Sequence, residues 1–406
     1  MYKKDATINV LDLFHERKLV KICAPMVRYS KLQFRNLVKL YDCDLTFTPM
    51  ILADSFCKSN KARRNEFTTN SVDTPLVAQF AANTVHDFVG AAYLASPFCS
   101  GVDLNCGCPQ KWASEQQLGC SMLKTPEVIY DLVRQCRNRI EEPFTVSVKM
   151  RLSKDLEHTV EVCKQLEMCG VSFLTVHART PTQLVGEINE SALKLVKENC
   201  TIPIVANGGV SSLEDCFNLQ NYTGCDGVMV ANGILTNPCL FSGSSVTTLE
   251  CVQNWLDICY NSTLTMEDYE KEVLEPKCWI VERPSNLTFQ CFHHHLVFML
   301  EKILPKRKRR VFNNLKTFSD VLLFIEDYFN MRPKLFELEK FAKYLSLNLD
   351  YSDRICIYES LKPIELNDAP LVEEHSYIDE DGKYFSNKVS PTIEYGDFSD
   401  IFIENG

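Results

Sequence analysis

The 406-residue chain contains no run of about 18 apolar residues, so no segment of it is expected to span a membrane. Met1-Tyr2-Lys3-Lys4-Asp5 leads into no apolar core, and no secretory signal is expected. A disulfide framework is missing as well: the 19 cysteines are odd in number and scattered through apparent strands and helices. That usage points to a reducing compartment, and a cytoplasmic location is expected. Cys106 and Cys108 flank one glycine, but no second nearby pair and no His-x-x-x-His completes a ligand set, so no metal centre is expected. The first candidate turn, Ala24-Pro25-Met26-Val27, lacks the glycine-rich fingerprint of a dinucleotide-binding open sheet.

Positive charge is also short, at 43 basic against 53 acidic residues, a net of −10. The deficit is local. Residues 331–406 carry 16 acidic and 8 basic residues, which leaves a net of −2 for the preceding 330. The charge balance neither demands nor excludes a nucleic-acid partner.

What is present is alternation. Eight β-branched runs, Val20–Ala24, Asp44–Thr48, Leu76–Phe80, Val102–Cys106, Phe144–Met150, Phe173–His177, Ile202–Ala206 and Gly227–Ala231, are each followed by a segment of helical period. Lys31–Tyr41, Val85–Leu94, Pro126–Asn138 and Leu156–Cys169 are among the helix candidates. Eight such units predict an α/β fold, a (β/α)8 TIM barrel over 18–245, behind an N-terminal extension at 1–17. After Asn237-Pro238 the strands stop. Leu249–Tyr260, Leu287–Ile303 and Val311–Phe329 predict a small all-helical domain over 246–330, with the polar stretch Asn261–Ser285 interrupting it. Residues 331–406 read as an acidic, largely flexible tail, above all 361–406. A single working unit, a monomer, is expected.

Polar groups gather where the barrel strands end: Gln79, Asn105, Cys108, Lys149, His177 and Asn207. In a parallel barrel those ends form one mouth, where catalytic residues sit. A lysine inside the barrel needs a negative partner. Either an Asp or Glu on a neighbouring strand or an electron-rich flavin would serve Lys149, and the flavin is favoured. Asn207-Gly208-Gly209 and Ala231-Asn232-Gly233 close the seventh and eighth strands, where barrels commonly cradle a phosphate. Lysine, histidine, glutamine and a phosphate cradle at one mouth suggest flavin mononucleotide, FMN. Reduction of an activated C=C bond then needs hydride at one carbon and a proton at the other, and the Cys108 thiol is placed to deliver the proton. Cys106 is read as a small buried hydrophobe in the barrel wall.

The sequence resembles the tRNA-dihydrouridine synthases. The motifs are Ala24-Pro25-Met26 with Arg28-Tyr29-Ser30, Thr48-Pro49-Met50, Gln79, Asn105-Cys106-Gly107-Cys108-Pro109, Lys149-Met150-Arg151, His177-Ala178-Arg179-Thr180, Asn207-Gly208-Gly209, and Asn237-Pro238 with Phe241. The forms around Arg28 and Cys108 look most like the eukaryotic branch acting on D-loop uridines 20a and 20b. The resemblance implies FMN as cofactor, NADPH or NADH as reductant, and tRNA as partner. It implies that Cys108 gives a proton to uracil C5 after hydride reaches C6. Pro25, Met26, Gln79, Lys149, His177, Asn207, Gly209 and Gly233 would contact FMN, and Asn105 and Arg151 would lie near the uracil. Two positions depart from the pattern: Asn232 stands where most relatives carry arginine, and Gly209 where close relatives often carry aspartate. The alternatives are a flavin barrel acting on a free pyrimidine and an RNA-binding relative with weakened flavin binding.

Two basic clusters are candidate RNA contacts: Lys58, Lys61, Arg63 and Arg64 after the second strand, and Lys306-Arg307-Lys308-Arg309-Arg310 between two predicted helices. The second could equally serve nuclear import, which would add a nuclear location. His293-His294-His295 is read as helix surface and core rather than as metal ligands.

Overall fold

The computed structural model describes residues 9–275, 277, 280 and 287–355. Eight parallel strands run through it: β1 Val20–Cys23, β2 Leu45–Phe47, β3 Leu76–Ala81, β4 Gly101–Cys106, β5 Thr145–Arg151, β6 Phe173–His177, β7 Ile204–Asn207 and β8 Gly227–Val230. Each pairs with the next, and β1 pairs with both β2 and β8, so the sheet closes into a TIM barrel. A two-residue segment, Ile51–Leu52, extends the sheet beside the end of β3.

Register decides what faces inward. Gln79 lies opposite Asp103, Asn105 opposite Lys149, Arg151 opposite His177, and His177 opposite Asn207. Partners in register share a face, and successive residues alternate. One polar set therefore lines the barrel interior, while Val102, Leu104, Val148 and Val176 turn outward and are fully buried against the surrounding helices. At the opposite end the barrel is stoppered from the N-terminal extension. Phe14, on the helix Val10–Glu16, packs its ring 5.4 Å from that of Phe173. Gly227 makes room there: a Cβ on it would lie 3.3 Å from the Phe14 ring.

The helical region rests on the segment after β1. His295 stacks on Phe34 at 4.3 Å and bonds the Tyr29 carbonyl through Nε2 at 3.1 Å. Tyr29 Oη lies 3.2 Å from His294 Nδ1, and His293 Nε2 lies 2.9 Å from the Phe312 carbonyl. Trp255 is completely buried against His295. His294 and His295 thus join the helical region to the barrel, and His293 is spent within the helical region.

Several expectations need correction. The polar stretch after Asn261 holds a helix, Met266–Leu274, started by a capping box of Thr265 and Asp268. Lys306–Arg310 is not a connector: it forms most of the helix Lys306–Asn313. Val311–Phe329 is not one helix, because Thr317 caps a new one, Phe318–Phe329. Packing against the barrel continues past residue 331, within the stretch expected to be flexible. Leu347 N–H bonds the Thr69 carbonyl at 2.9 Å, and Tyr351 wedges its ring between Phe56 and Phe98. The segment 361–406, expected to be flexible, lies outside the described residues.

Arg63 is also reassigned. It is buried, its guanidinium bonding the carbonyls of Phe56 and Cys57 at 2.6 and 2.9 Å, so it caps a helix end rather than meeting solvent. Lys58, Lys61 and Arg64 remain exposed.

Candidate active site

A chain of hydrogen bonds crosses the barrel interior to the mouth. Ser147 Oγ donates to Asp103 Oδ1 at 2.7 Å, and Gln79 Nε2 donates to Asp103 Oδ2 at 2.8 Å. Asn105 Nδ2 donates to Gln79 Oε1 at 3.0 Å. Asn105 Oδ1 then accepts from the backbone N–H groups of Gly107 and Cys108, at 3.2 and 3.0 Å. Asp103 is fully buried, and that burial pushes its carboxyl up to about 6, opposed by the Gln79 and Ser147 hydrogen bonds. Asp103 and Ser147 were not among the site residues expected from sequence. The available signal was an acidic residue inside an apolar strand, in step with Asn105.

Cys108 sits on the loop that leaves β4, partly buried. Its carbonyl accepts from Cys120 N–H at 3.0 Å, and Gly119 packs so closely that an added Cβ would lie 2.5 Å from that carbonyl oxygen. Gly119 also has a φ of 64°, which a side chain disfavours. Burial raises the Cys108 thiol above its ordinary range, so it stays protonated at neutral pH. A proton donor requires that state. Cys106 is completely buried.

The neighbouring strand, β5, is cationic. Lys149 is partly exposed to the mouth and forms no ion pair or hydrogen bond among the described residues. Burial and the neighbouring Arg151 hold its ammonium down to about 8, although Asp103 pulls the other way. Asp103 is thus near, but it does not pair with Lys149. Arg151 Nε bonds the Gly107 carbonyl at 3.0 Å, and its Nη1 reaches the carbonyls of Thr180 and Gln183 at 3.3 Å. It ties the loop after β4 to the loop after β6. Burial, then the charges of Lys149, Arg151 and Arg179, keep His177 neutral.

Pro25 and Met26 form the turn after β1, where Met26 N–H donates to Ser30 Oγ at 3.0 Å. Asn207 ends β7 and donates from Nδ2 to the Met229 carbonyl at 2.9 Å. Gly208 and Gly209 follow with φ of 117° and 72°, and a Cβ on Gly208 would sit 3.0 Å from the His177 ring. Gly233 is needed for a different reason. A Cβ there would lie 2.4 Å from the Val210 carbonyl oxygen, so only glycine lets the loops after β7 and β8 meet. Among the described residues the N–H groups of Gly209 and Gly233 reach no backbone carbonyl.

The expected site residues therefore converge on one mouth. Their donor set fits an anionic ligand carrying a phosphate. An unpartnered ammonium, free N–H groups on two adjoining loops and the buried, unpaired Thr175 hydroxyl in register with Lys149 all await acceptors or donors.

Residues 22–320 match the family described as Dihydrouridine synthase (Dus). The chain belongs to the dihydrouridine synthase family. A mouse protein named "tRNA-dihydrouridine(20a/20b) synthase [NAD(P)+]-like" is 46% identical over 320 residues, covering 79% of this chain and 92% of its own. The human protein of the same name is 43% identical over 322 residues, with 79% and 94% covered. In Schizosaccharomyces pombe, "tRNA-dihydrouridine(20a/20b) synthase [NAD(P)+]" is 35% identical over 326 residues, with 80% and 92% covered. Within this dihydrouridine synthase family member, the matched span runs from β1 into the helix Phe318–Phe329 and so takes in every mouth residue described above.

Proposed function

We propose that this chain reduces uridine to 5,6-dihydrouridine in the D-loop of tRNA, at positions 20a and 20b, with FMN as bound cofactor and NADPH or NADH as reductant. The observation that carries this reading is the Cys108 thiol, held above its ordinary range by burial, on a loop fixed by Asn105 and beside the unpartnered Lys149 of the neighbouring strand. Family membership and the relatives named for positions 20a and 20b support the substrate.

FMN, when bound and reduced, supplies the hydride taken up at C6 of the uracil ring. Lys149 holds negative charge on that cofactor, the Gly209 and Gly233 N–H groups receive its phosphate, and Gln79, His177, Asn207, Pro25 and Met26 frame it. Cys108 gives its thiol proton to C5, and solvent returns a proton to the thiolate, so one uridine, one NADPH and one proton give dihydrouridine and NADP+. Asn105 and Arg151 hold the loop that borders the base. Exposed Lys306, Arg307, Lys308 and Arg310 on one helix, with Lys58, Lys61 and Arg64, meet tRNA phosphates.

The test has two parts. Heat-released cofactor from the purified protein should co-elute with FMN. Dihydrouridine at 20a and 20b should vanish from tRNA of cells lacking the gene and return with the wild-type gene. Colourless protein, or unchanged dihydrouridine in the deletion, would contradict the reading.

A further inference from the structure

We propose that Asp103 is a positioning residue for Cys108, acting through Gln79 and Asn105. This rests on Cys108 being the proton donor. The chain of bonds has a fixed direction because both ends are fixed. At the Cys108 end two backbone N–H groups demand an acceptor, so Asn105 must present Oδ1 there and Nδ2 to Gln79. At the other end an ionised carboxylate accepts and cannot donate, so Gln79 must present Nε2 to Asp103 and Oε1 to Asn105. Remove the acceptor at Asp103 and the Gln79 amide is free to turn. A turned Gln79 offers a donor to Asn105, whose amide then turns too and sets its own donor against the two loop N–H groups. The loop loses both bonds.

The carboxylate's other oxygen is held by Ser147, so Asp103 itself cannot rotate away. Asp103 and Gln79 are 0% and 1% exposed and Asn105 8%, so water has little access to substitute for a missing link. Charge is not what the chain requires. An asparagine at 103 can still accept from Gln79 with Oδ1 while its Nδ2 donates to Ser147 Oγ, whose hydroxyl also lies 3.4 Å from the Val102 carbonyl and can turn to it. The direction of the whole chain survives.

The test compares Asp103→Leu, which has no acceptor, with Asp103→Asn, both as flavin-loaded protein. Two quantities are read: the rate of Cys108 alkylation by iodoacetamide, and the rates of flavin reduction by NADPH and reoxidation by tRNA. Asp103→Leu should loosen the loop and speed Cys108 alkylation about fivefold or more, while slowing reoxidation by tRNA about 10- to 100-fold, the scale of a small misplacement. Because Gln79 also frames the cofactor, flavin reduction by NADPH is the internal reference and should slow less than reoxidation by tRNA. Asp103→Asn should restore both quantities to within about threefold of wild type. The proposal is overturned if Asp103→Leu leaves alkylation and reoxidation unchanged, or if Asp103→Asn is as impaired as Asp103→Leu. Should Asp103→Leu fail to fold, Asp103→Asn alone decides: wild-type-like alkylation and reoxidation support the chain, and a large loss refutes it. Cys108→Ala separates the two readings. If that variant still makes dihydrouridine, Cys108 is not the donor, whatever Asp103 does to its alkylation.

Discussion

Lys149 and Arg151 leave β5 on the same inward face, and after burial it is the Arg151 guanidinium that most lowers the proton affinity of Lys149. Arg151 is committed to the Gly107, Thr180 and Gln183 carbonyls, whereas Lys149 has no bond among the described residues. One cation builds the wall. The other is left for a ligand.

A pH signature follows from that difference. With its value held at about 8, Lys149 is part neutral in the free site on the alkaline side of neutrality. A bound anionic or acceptor group favours the ammonium and raises that value, so FMN binding near pH 8.5 should take up a proton. Calorimetry in two buffers of different ionisation enthalpy measures the uptake. It should disappear in Lys149→Met, which should also bind FMN more weakly. Equal proton uptake in both proteins would make Lys149 a structural residue.

Cys108→Ala should keep the fold and the cofactor. The thiol is small and lies on a loop, and NADPH oxidation needs no proton from it. Dihydrouridine formation should fall about 10²- to 10⁴-fold, the usual loss for a positioned general acid. Single-turnover assays with tRNA check this against flavin reduction measured separately.

Substituting Lys306, Arg307, Lys308 and Arg310 with glutamine should weaken tRNA binding whatever the tRNA sequence. Arg309 is spared because it bonds the Glu301 carbonyl at 2.9 Å. The slope of log affinity against log salt should become shallower by about 0.7 to 0.9 for each lost phosphate contact. Identical slopes in a salt titration would remove this helix from the RNA interface, and flavin reduction by NADPH should not change.

On the helix Leu32–Lys39, Arg35 forms a buried ion pair at 2.7 Å with Asp73, which precedes β3, and the Thr69 and Thr46 hydroxyls also reach the carboxylate. Asp73→Ala leaves the guanidinium buried without its partner and should cost about 3–5 kcal/mol of stability. Urea unfolding measures it. A loss under about 1 kcal/mol would mean that water or a rearranged neighbour replaces the carboxylate.

The barrel was legible because its strands are short apolar runs punctuated by helices, and the mouth residues because they end those runs. What escaped was decided by tertiary contact. The helix Val10–Glu16 is only two turns long, and its role as a barrel stopper depends on Phe14 meeting Phe173. Arg63 looks like its exposed neighbours in sequence and is buried only because a helix end needs its guanidinium. Asp103 was visible as a polar residue in an apolar strand, but its importance comes from Gln79, which lies on the adjacent strand. The break before Thr317 was readable as a cap and was missed because the apolar period continues across it.

In the proposed reaction Cys108 protonates a uracil ring reduced at this mouth. The most direct measurement is an anaerobic single turnover: protein reduced by NADPH, freed of excess nucleotide, and mixed with unmodified tRNA. Flavin reoxidation should match dihydrouridine formed at 20a and 20b, one for one, and both should be nearly abolished in Cys108→Ala. Reoxidation without dihydrouridine, or undiminished dihydrouridine in Cys108→Ala, would contradict the proposed reaction.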